Sequence, residues 1–518
     1  TELKHPAEYR YDRNGNLTRQ TDWRGNTTES TYDPLNRVIE KKDAYSNIIQ
    51  KLEYDLSHRQ RFAYDAKGYR TEYRYDHNNR LMSTKDPEGH TTGQSYDEVG
   101  NIETRTDGKG NATTYMYDQF NRLSAVANAK GERTSYTYDL CGNMLTQTDG
   151  KGNMTIFEYS SINKQIRKTD HGGRTEAAGK FTYESAKTES HTYYANGLMA
   201  TKTDRNGRVT VYLYDCHGRM VSKTVNPTAS NASGEGRVSY TYDNNGNQLS
   251  MTDASGTTRR IYDDFNRVVT KSVSNMGTMT FQYDIIPDGG TIPGLTQGTD
   301  IPSGAIAERS KDAKGNETVK IYDGLGRLGQ VVTYASGEAE VTSYAYDANG
   351  NRKTVKYPDG PSEEYDYDKD NRLTLLINRD KNENEVDRYT YTYDAAHNQE
   401  TKTEKINKST EIKVTSYHYD SLNRLISVEE PDEKLTEYTF DRAGNRKTEK
   451  VTSGSSITLT TYTYNEQNRL MNTVEEKGDG KKRINTYTYD NNGNMMSKGY
   501  GELTKVQTLR THRKPGSA

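Results

Sequence analysis

The chain of 518 residues has few of the side chains that usually build a hydrophobic core. Leu, Ile, Val and Phe together make up about 14% of it, a fraction that is typical of disordered proteins. The net charge of −2, however, causes little self-repulsion, and 42 tyrosines supply large rings that bury well once their hydroxyls are hydrogen-bonded. The scarcity of aliphatic residues therefore excludes a thick apolar core but not a folded chain.

Cysteines, clustered charge and long apolar runs are also missing. The two cysteines, Cys141 and Cys216, are too few for a disulfide framework. No segment has the length of a membrane span, and the N-terminus has no signal-peptide core. The 71 basic residues are interleaved with 73 acidic ones, which argues against a nucleic-acid partner because phosphate binding needs clustered Lys and Arg. Because the chain begins with Thr1 rather than Met, we expect it to be a piece of a longer polypeptide.

One short repeat, with a period of about 21 residues, dominates the sequence. An anchor tyrosine is followed by Asp in all but two units, where Ser160 and Asn465 replace it, and four residues after the anchor stands Gly, Asn or His, except at Pro287. These residue types enter the left-handed backbone region at least cost, so we predict a tight turn with positive φ at that position. The twenty anchors are Tyr11, Tyr32, Tyr54, Tyr75, Tyr96, Tyr117, Tyr138, Tyr159, Tyr214, Tyr242, Tyr262, Tyr283, Tyr322, Tyr346, Tyr367, Tyr393, Tyr419, Phe440, Tyr464 and Tyr489.

A second turn signal lies between anchors, as in Asp107–Asn111 and Asp149–Asn153, so each unit is predicted to be strand, turn, strand, turn. Strands before the anchors often carry Tyr-x-Tyr, as in Tyr115-Met116-Tyr117, which places both rings on one face. We predict that these rings are mostly buried and stack into tyrosine ladders. The fold class is therefore all-β, a long antiparallel meander of about 20 repeats.

So wide a sheet cannot stay flat. Open twisted sheets rarely exceed about ten strands without curling, so about forty strands should coil into a hollow, shell-like spiral. Gly-Asn and Asn-Arg turns alternate in many neighbouring units, so that the pattern repeats every two units, which is also the length of a propeller blade. A β-propeller is the alternative, but twenty units would require about ten blades where propellers have about 4–8.

The repeat defines one continuous domain over residues 1–504, with irregular loops expected near 171–200, 225–237 and 285–310. These segments are predicted to be loops rather than domain linkers because the repeat resumes directly after each of them. The tail, residues 505–518, is basic and lacks the repeat, so we predict that it is disordered.

No constellation of residues points to chemistry. Cys216 and His217 are adjacent, but they occupy variable turn positions, and a nucleophile also needs a base that a third group orients. Turns such as Asp12–Asn16 resemble the start of an EF-hand loop, yet the position of the bidentate Glu holds Trp23. We therefore predict no catalytic, cofactor-binding or metal-ligating residue, no cofactor and no enzymatic activity.

The motif Tyr-Asp-x-x-Gly-Asn, repeated at this period over residues 9–496, resembles the Rhs/YD-repeat family, which includes bacterial polymorphic toxins, toxin-complex C components and teneurins. The resemblance implies a β-strip that spirals into a shell around a C-terminal toxin domain. The family's Asp-Pro-x-Gly-type core and its self-cleavage aspartates are not found in these residues, and we expect the toxin domain to be missing from this chain, so only the structural role of the repeats carries over.

We accordingly expect a non-catalytic shell segment of a secreted or cell-surface protein. Its expected partners are the C-terminal toxin domain and the flanking shell domains of the parent protein. The alternative is a carbohydrate-binding or adhesive module, because tyrosine-rich faces can stack on sugar rings of cell-surface glycans. Buried tyrosines favour the shell and exposed tyrosines favour the sugar.

Overall fold

The computed structural model describes residues 7–171, 174–177, 180–183, 186–226, 236–285, 305–334 and 339–503. These residues form 44 strands. Strands β1 to β16 are Glu8–Tyr11, Leu17–Thr21, Thr27–Tyr32, Val38–Lys42, Ile48–Tyr54, Gln60–Tyr64, Arg70–Tyr75, Leu81–Lys85, Thr91–Tyr96, Ile102–Thr106, Ala112–Tyr117, Leu123–Ala127, Arg133–Tyr138, Met144–Thr148, Met154–Tyr159 and Gln165–His171.

Strands β17 to β30 are Arg174–Ala177, Lys180–Tyr183, Lys187–Tyr193, Met199–Thr203, Val209–Tyr214, Met220–Val225, Arg237–Tyr242, Gln248–Asp253, Gly256–Tyr262, Val268–Val273, Gly277–Ile285, Ile306–Lys311, Glu317–Tyr322 and Leu328–Tyr334. Strands β31 to β44 are Ala339–Tyr346, Arg352–Lys356, Ser362–Tyr367, Leu373–Arg379, Glu385–Tyr393, Gln399–Lys405, Lys413–Tyr419, Leu425–Glu430, Lys434–Phe440, Arg446–Ser453, Ser456–Tyr464, Leu470–Lys477, Lys482–Tyr489 and Met495–Leu503.

Strands adjacent in the chain pair antiparallel and form one sheet of 42 strands. The exception is the hairpin of β17 and β18, which pair with each other while β16 pairs with β19. Within the described residues, β1 and β44 each pair on one side only, so the sheet is open. The predicted all-β meander is confirmed.

The register shifts by one residue at the anchors. Tyr117, for example, pairs with Leu123, whereas the preceding Met116 pairs with Ala125. One residue after the Tyr-Asp turn therefore has no partner on the neighbouring strand. This irregularity is a β-bulge, which increases the local twist of the sheet. Repeated bulges give the strip the curvature that a flat pleated sheet lacks.

No thick core lies beneath the sheet. Among the described residues the largest fully buried side chains are Val319, Ile321, Val332 and Val355, and the apolar cluster that includes the first three lies in β27 to β31. Most other side chains are only half-buried. The sheet is therefore a single layer over most of its length.

The three segments that the sequence predicts to be irregular loops match that prediction only in part. Residues 227–235 and 286–304, with Pro287, and the tail 505–518 lie outside the described residues. In the segment 171–200, the prediction of an irregular loop is wrong at its end, because β19 finishes at a further anchor, Tyr193, and Gly197 has φ +82° four residues later. The sequence pattern concealed this unit because Tyr194 replaces the usual Asp.

Candidate functional site: the tyrosine face and the seam between circuits

The turn that follows each anchor, here called the Tyr-Asp turn, is held by its Asp. In the turn after Tyr138, Asn143 N donates to Asp139 Oδ1 at 2.8 Å and Asn143 Nδ2 donates to Asp139 Oδ2 at 2.8 Å, while Gly142 N donates to the carbonyl oxygen of Asp139. These bonds keep the pKa of the Asp139 carboxyl below its usual range.

Backbone conformation confirms the predicted turn. The residue four places after the anchor has positive φ at each described position, as in Asn121 with φ 60° and Gly142 with φ 87°. Pro287, the one departure in sequence, lies outside the described residues. The restriction of this position to Gly, Asn and His is therefore explained by backbone geometry.

The anchor hydroxyl links each unit to the one before it. Tyr138 Oη donates to the carbonyl oxygen of Leu123 at 2.8 Å, and Leu123 is the residue that pairs with the preceding anchor, Tyr117. The same bond recurs at Tyr32, Tyr54, Tyr75, Tyr96, Tyr117, Tyr193, Tyr242, Tyr262, Tyr283, Tyr346, Tyr367, Tyr393, Tyr419 and Tyr489. It satisfies a carbonyl that the bulge removes from the ladder.

The alternation of Gly-Asn and Asn-Arg turns also has a physical cause. In a Gly-Asn turn, Asn101 Nδ2 donates to Oδ1 of Asn121, the left-handed residue of the next turn, at 3.2 Å. In that Asn-Arg turn, Arg122 stacks over the next anchor ring, Tyr138, with its Cζ 4.8 Å from the ring centroid. The Gly-Asn turn supplies the amide donor, and the following Asn-Arg turn supplies both the Asn acceptor and the Arg that stacks over the next anchor ring. The two kinds of turn therefore alternate, which explains why the pattern repeats every two units.

The Tyr-x-Tyr face is confirmed. Tyr115 and Tyr117 face one side and Met116 the other, exposed, side, as predicted, and both rings are mostly but not fully buried. The expected stacking of tyrosine on tyrosine is wrong in general within the described residues. Arginine guanidinium groups instead lie over nine of the twenty anchor rings, whereas Tyr194 and Tyr214 contact each other edge to face.

The turns at the opposite edge of the strip, here called linking turns, meet the Tyr-Asp turns of a distant part of the chain. Lys109 Nζ lies 3.1 Å from Oδ2 of Asp394, which comes 285 residues later, and Lys130 Nζ lies 2.7 Å from Asp420 Oδ2. Further contacts join Tyr45 to Gly324, Lys67 to Asp347, Glu88 to Lys369, Lys151 to Asp441 and Asn206 to Asp490. We call this row of contacts the seam.

The seam shows that the strip is a spiral. Between the two turns of each of these pairs lie 23 strands of the sheet, so one circuit of the spiral, counted from a linking turn to the first Tyr-Asp turn that it meets, has 23 strands. Close approach at the seam requires small residues, since a Cβ added to Gly108 would lie 1.8 Å from the carbonyl oxygen of Ala395. The sequence identified Gly108 and Gly150 as turn residues, but it contained no signal for their distant partner turns.

Cys216 and His217 lie together on an exposed Tyr-Asp turn, with Sγ and Nδ1 3.3 Å apart. The neighbouring Asp215 binds Arg219 through Oδ2 and the backbone N–H groups of His217 and Arg219 through Oδ1. Its carboxylate is therefore committed to the turn rather than to orienting the imidazole. The absence of catalytic residues stays a prediction.

Two family models match the repeats. The RHS Repeat model matches residues 11–48, 54–91, 75–112, 96–133, 117–154 and 193–230, the last of which begins at the additional anchor Tyr193. The Teneurin YD-shell model matches residues 310–457. A search of curated protein sequences gave no match.

Solved structures of similar fold come from a toxin complex. The structure described as TcdB2-TccC3 is 15% identical, covers 98% of this chain and has a TM-score of 0.64. TcdB2-TccC3-Cdc42 is 14% identical, covers 96% of this chain and has the same TM-score of 0.64. Identity at this level shows the fold, and this chain spans 30% and 29% of the length of the two matched chains.

Proposed function

We propose that this chain, whose repeat array belongs to the Rhs/YD-repeat family and forms a structural shell segment, is part of a wall that encloses a toxin domain of its parent protein and helps to deliver it. The single observation that supports enclosure best is the seam, because a strip that returns to its own edge surrounds a space. The continuous domain that we propose comprises residues 1–504.

The size of one circuit fits this role. Twenty-three strands spaced about 4.8 Å apart give a circuit of roughly 110 Å, or roughly 35 Å across from backbone to backbone. A globular domain of about 100 residues has a radius of gyration of about 13 Å, which corresponds to a similar width. The space is therefore suited to a small domain or an extended chain.

Flanking shell domains are the proposed partners at the free edge. The Tyr-Asp turns of the first circuit point away from the seam and carry exposed apolar side chains at their tips, among them Leu35, Leu56, Val99, Phe120 and Leu140. Tyr-Asp turns of the second circuit, which lie in the seam, carry mainly small or polar residues at these positions, such as Ala395 and Asn492. Exposed apolar rows of this kind mark protein contacts.

A non-catalytic role and an extracellular or cell-surface location complete the proposal. Strand and turn residues here are committed to hydrogen bonds that hold the wall, which supports a structural rather than a catalytic role. The described residues include no helix that could cross a membrane.

Protease protection tests enclosure. A compact reporter domain would be fused after Ala518, and its digestion compared with that of the free reporter. We expect protection in the parent chain and loss of protection in the double variant Lys109→Glu/Lys130→Glu, which puts two like charges against Asp394 and Asp420. The matched control is Lys314→Glu, an exposed lysine in an Asp-x-Lys-Gly turn like that of Lys109; the turn of Lys130 has Asn128 in place of the Asp.

Equal digestion of free and fused reporter would overturn enclosure. Electron cryomicroscopy of the same sample would then show whether the hollow spiral itself is present, which separates a failure of enclosure from a failure of the fold.

Glycan binding is the second candidate, because the tyrosine rings remain partly exposed. Their use of hydroxyls and ring faces within the wall, as at Tyr138, weakens this interpretation. Binding to a glycan array that is lost on changing Tyr136 and Tyr240 to Ala would favour it.

A further inference from the structure

Four side chains with metal-ligating atoms meet at the seam. Asp86 and His90 belong to the linking turn between β8 and β9, Asp370 to the Tyr-Asp turn between β33 and β34, and His397 to the next Tyr-Asp turn, between β35 and β36. One ligand atom of each lies within 4.8 Å of those of the other three. The group therefore draws on both circuits of the spiral and on three separate turns.

The distances already resemble those of a coordination shell. Asp86 Oδ2 lies 3.2 Å from His90 Nδ1 and 3.1 Å from His397 Nε2. In a tetrahedral zinc site with bonds of about 2.0–2.1 Å, neighbouring ligand atoms are about 3.3 Å apart. The remaining separations between ligand atoms, all within 4.8 Å, would have to shorten to complete such a tetrahedron.

Asp370 provides an independent observation. Its side chain is 6% exposed, and its Oδ2 accepts no hydrogen bond. Arg372 Nη2 lies 3.4 Å from that same oxygen, an ion-pair distance without hydrogen-bond geometry, and Arg372 Nε donates at 2.7 Å to Asp368 Oδ2. A buried carboxylate oxygen without a donor is costly, and a bound cation would satisfy it.

We propose that Asp86, His90, Asp370 and His397 form a binding site for a divalent transition-metal ion, with Zn²⁺ as the best fit, that ties the two circuits together. Two imidazoles favour Zn²⁺ and related ions over Ca²⁺ and Mg²⁺, which prefer oxygen ligands. Because Arg372 is paired with Asp368, the carboxylates of Asp86 and Asp370 together carry a charge of −2, which a dication would neutralise. The inference rests on the seam and not on the proposed delivery of a toxin.

His90 differs from the residue that most equivalent linking turns carry, and His397 shares its residue type with one other described left-handed turn position, that of His58. Where the linking turn of Asp86 has His90, other linking turns have Asn111 and Asn153, whose side chains donate to the turn Asp. At the left-handed position of His397, neighbouring units have Asn371 and Asn423, with φ near 60° as well. Asn is therefore a substitution that these turns accommodate.

The test is zinc binding by the tag-free, chelator-treated chain, measured by isothermal titration calorimetry and by metal analysis after dialysis. We expect one Zn²⁺ per chain and a higher melting temperature when Zn²⁺ is bound. His90→Asn and His397→Asn should each weaken binding by at least about tenfold, since loss even of an outer-shell partner costs about 10- to 100-fold. The matched control, His58→Asn, changes an exposed histidine at the same left-handed turn position and should bind as the parent chain does.

Cobalt provides a second readout, because Co²⁺ in a tetrahedral site absorbs visible light with characteristic intensity. We expect this absorption in the parent chain and in His58→Asn and its loss in the double variant His90→Asn/His397→Asn. The proposal would be overturned if the parent chain bound no Zn²⁺, if the double variant bound Zn²⁺ as tightly as the parent, or if Ca²⁺ displaced Zn²⁺ at equal concentration.

Discussion

The hydroxyl of Tyr138 donates a 2.8 Å hydrogen bond to the carbonyl oxygen of Leu123, fifteen residues earlier in the chain. Both groups lie in the partly buried layer of the sheet, so the bond replaces water at a carbonyl that the neighbouring strand does not reach. Because the bond recurs in most units of the array, these anchor tyrosines stabilise the bulge of the unit before them; Tyr322 instead donates to Glu308 Oε2, and Phe440 has no hydroxyl.

Removal of this hydroxyl should destabilise the chain. We expect Tyr138→Phe to lower the free energy of unfolding by about 1–2 kcal/mol, because the Leu123 carbonyl loses its donor. Tyr136→Phe is the matched control, since the Tyr136 hydroxyl has no hydrogen-bond partner within the part of the chain that the structure describes. Denaturant unfolding of the two variants should separate them; equal losses would contradict the role given to the anchor.

The left-handed turn residue is the second target. Asn121 has φ 60°, which a β-branched residue tolerates poorly, so Asn121→Val should cost about 1–2 kcal/mol. Asn121→Gly keeps the backbone conformation and loses only the contact with Asn101, so its effect should be smaller. Thermal and denaturant unfolding would measure both, and an equal cost for Val and Gly would show that conformation is not the cause.

Acid should loosen the seam. Burial would raise the pKa of Asp420, but its bonds to Lys130 and Arg424 lower it to about 2, from an ordinary value of 3.8. The folded state therefore binds this proton more weakly than the unfolded state, so the stabilisation is complete well above pH 4 and is lost as pH falls toward 2. Asp420→Asn should remove about 1 kcal/mol of the acid dependence of unfolding.

The matching lysine variants provide the control for that measurement. Lys130→Met should reduce the acid dependence in the same pH window, whereas Lys314→Met, in a similar linking turn but exposed, should leave it unchanged. An identical pH profile in all the variants would place the acid sensitivity outside the seam.

The pair Cys216 and His217 should not affect stability or carry chemistry. Both side chains are exposed at a turn tip, so Cys216→Ala and His217→Gln should change the free energy of unfolding by no more than about 0.5 kcal/mol. Cys141, exposed on another Tyr-Asp turn, is the internal standard for thiol alkylation. Much faster alkylation of Cys216 than of Cys141, abolished by His217→Gln, would contradict this prediction.

Strand β44 should mediate association. Within the described residues it pairs only with β43, and Met496 and Tyr500 are 68% and 75% exposed. Edge strands with apolar side chains recruit other strands, whereas charged residues prevent it. We expect the chain to oligomerise and Met496→Lys/Tyr500→Lys to reduce its mean sedimentation coefficient; a monomeric parent chain would contradict the prediction.

Local structure was predictable because each unit repeats the same residue types at the same spacing. The spacing of Tyr115 and Tyr117 predicted a shared face, and Asn121 predicted a left-handed turn. The groups that cover the rings were not predictable from the spacing, since they come from other units, as Arg122 does over Tyr138. The unit at Tyr193 was missed because Tyr194 occupies the Asp position, although Gly197 preserves the turn signal.

The seam could not be predicted from the sequence. Asp86 and His397 lie 311 residues apart, and nothing in so short a repeat states how many strands complete a circuit. That number depends on curvature accumulated over many bulges. The candidate metal site was missed for the same reason, because its four residues come from turns that only the return of the strip brings together.

The constant count of 23 strands per circuit also determines how such a protein can grow. Since the circumference is held by curvature and by the register of the seam, a further repeat at either end lengthens the tube without widening it. Internal volume then rises in proportion to repeat number, whereas the bore stays constant. An ancestor that duplicated repeats would have gained capacity for longer contents, never for broader ones.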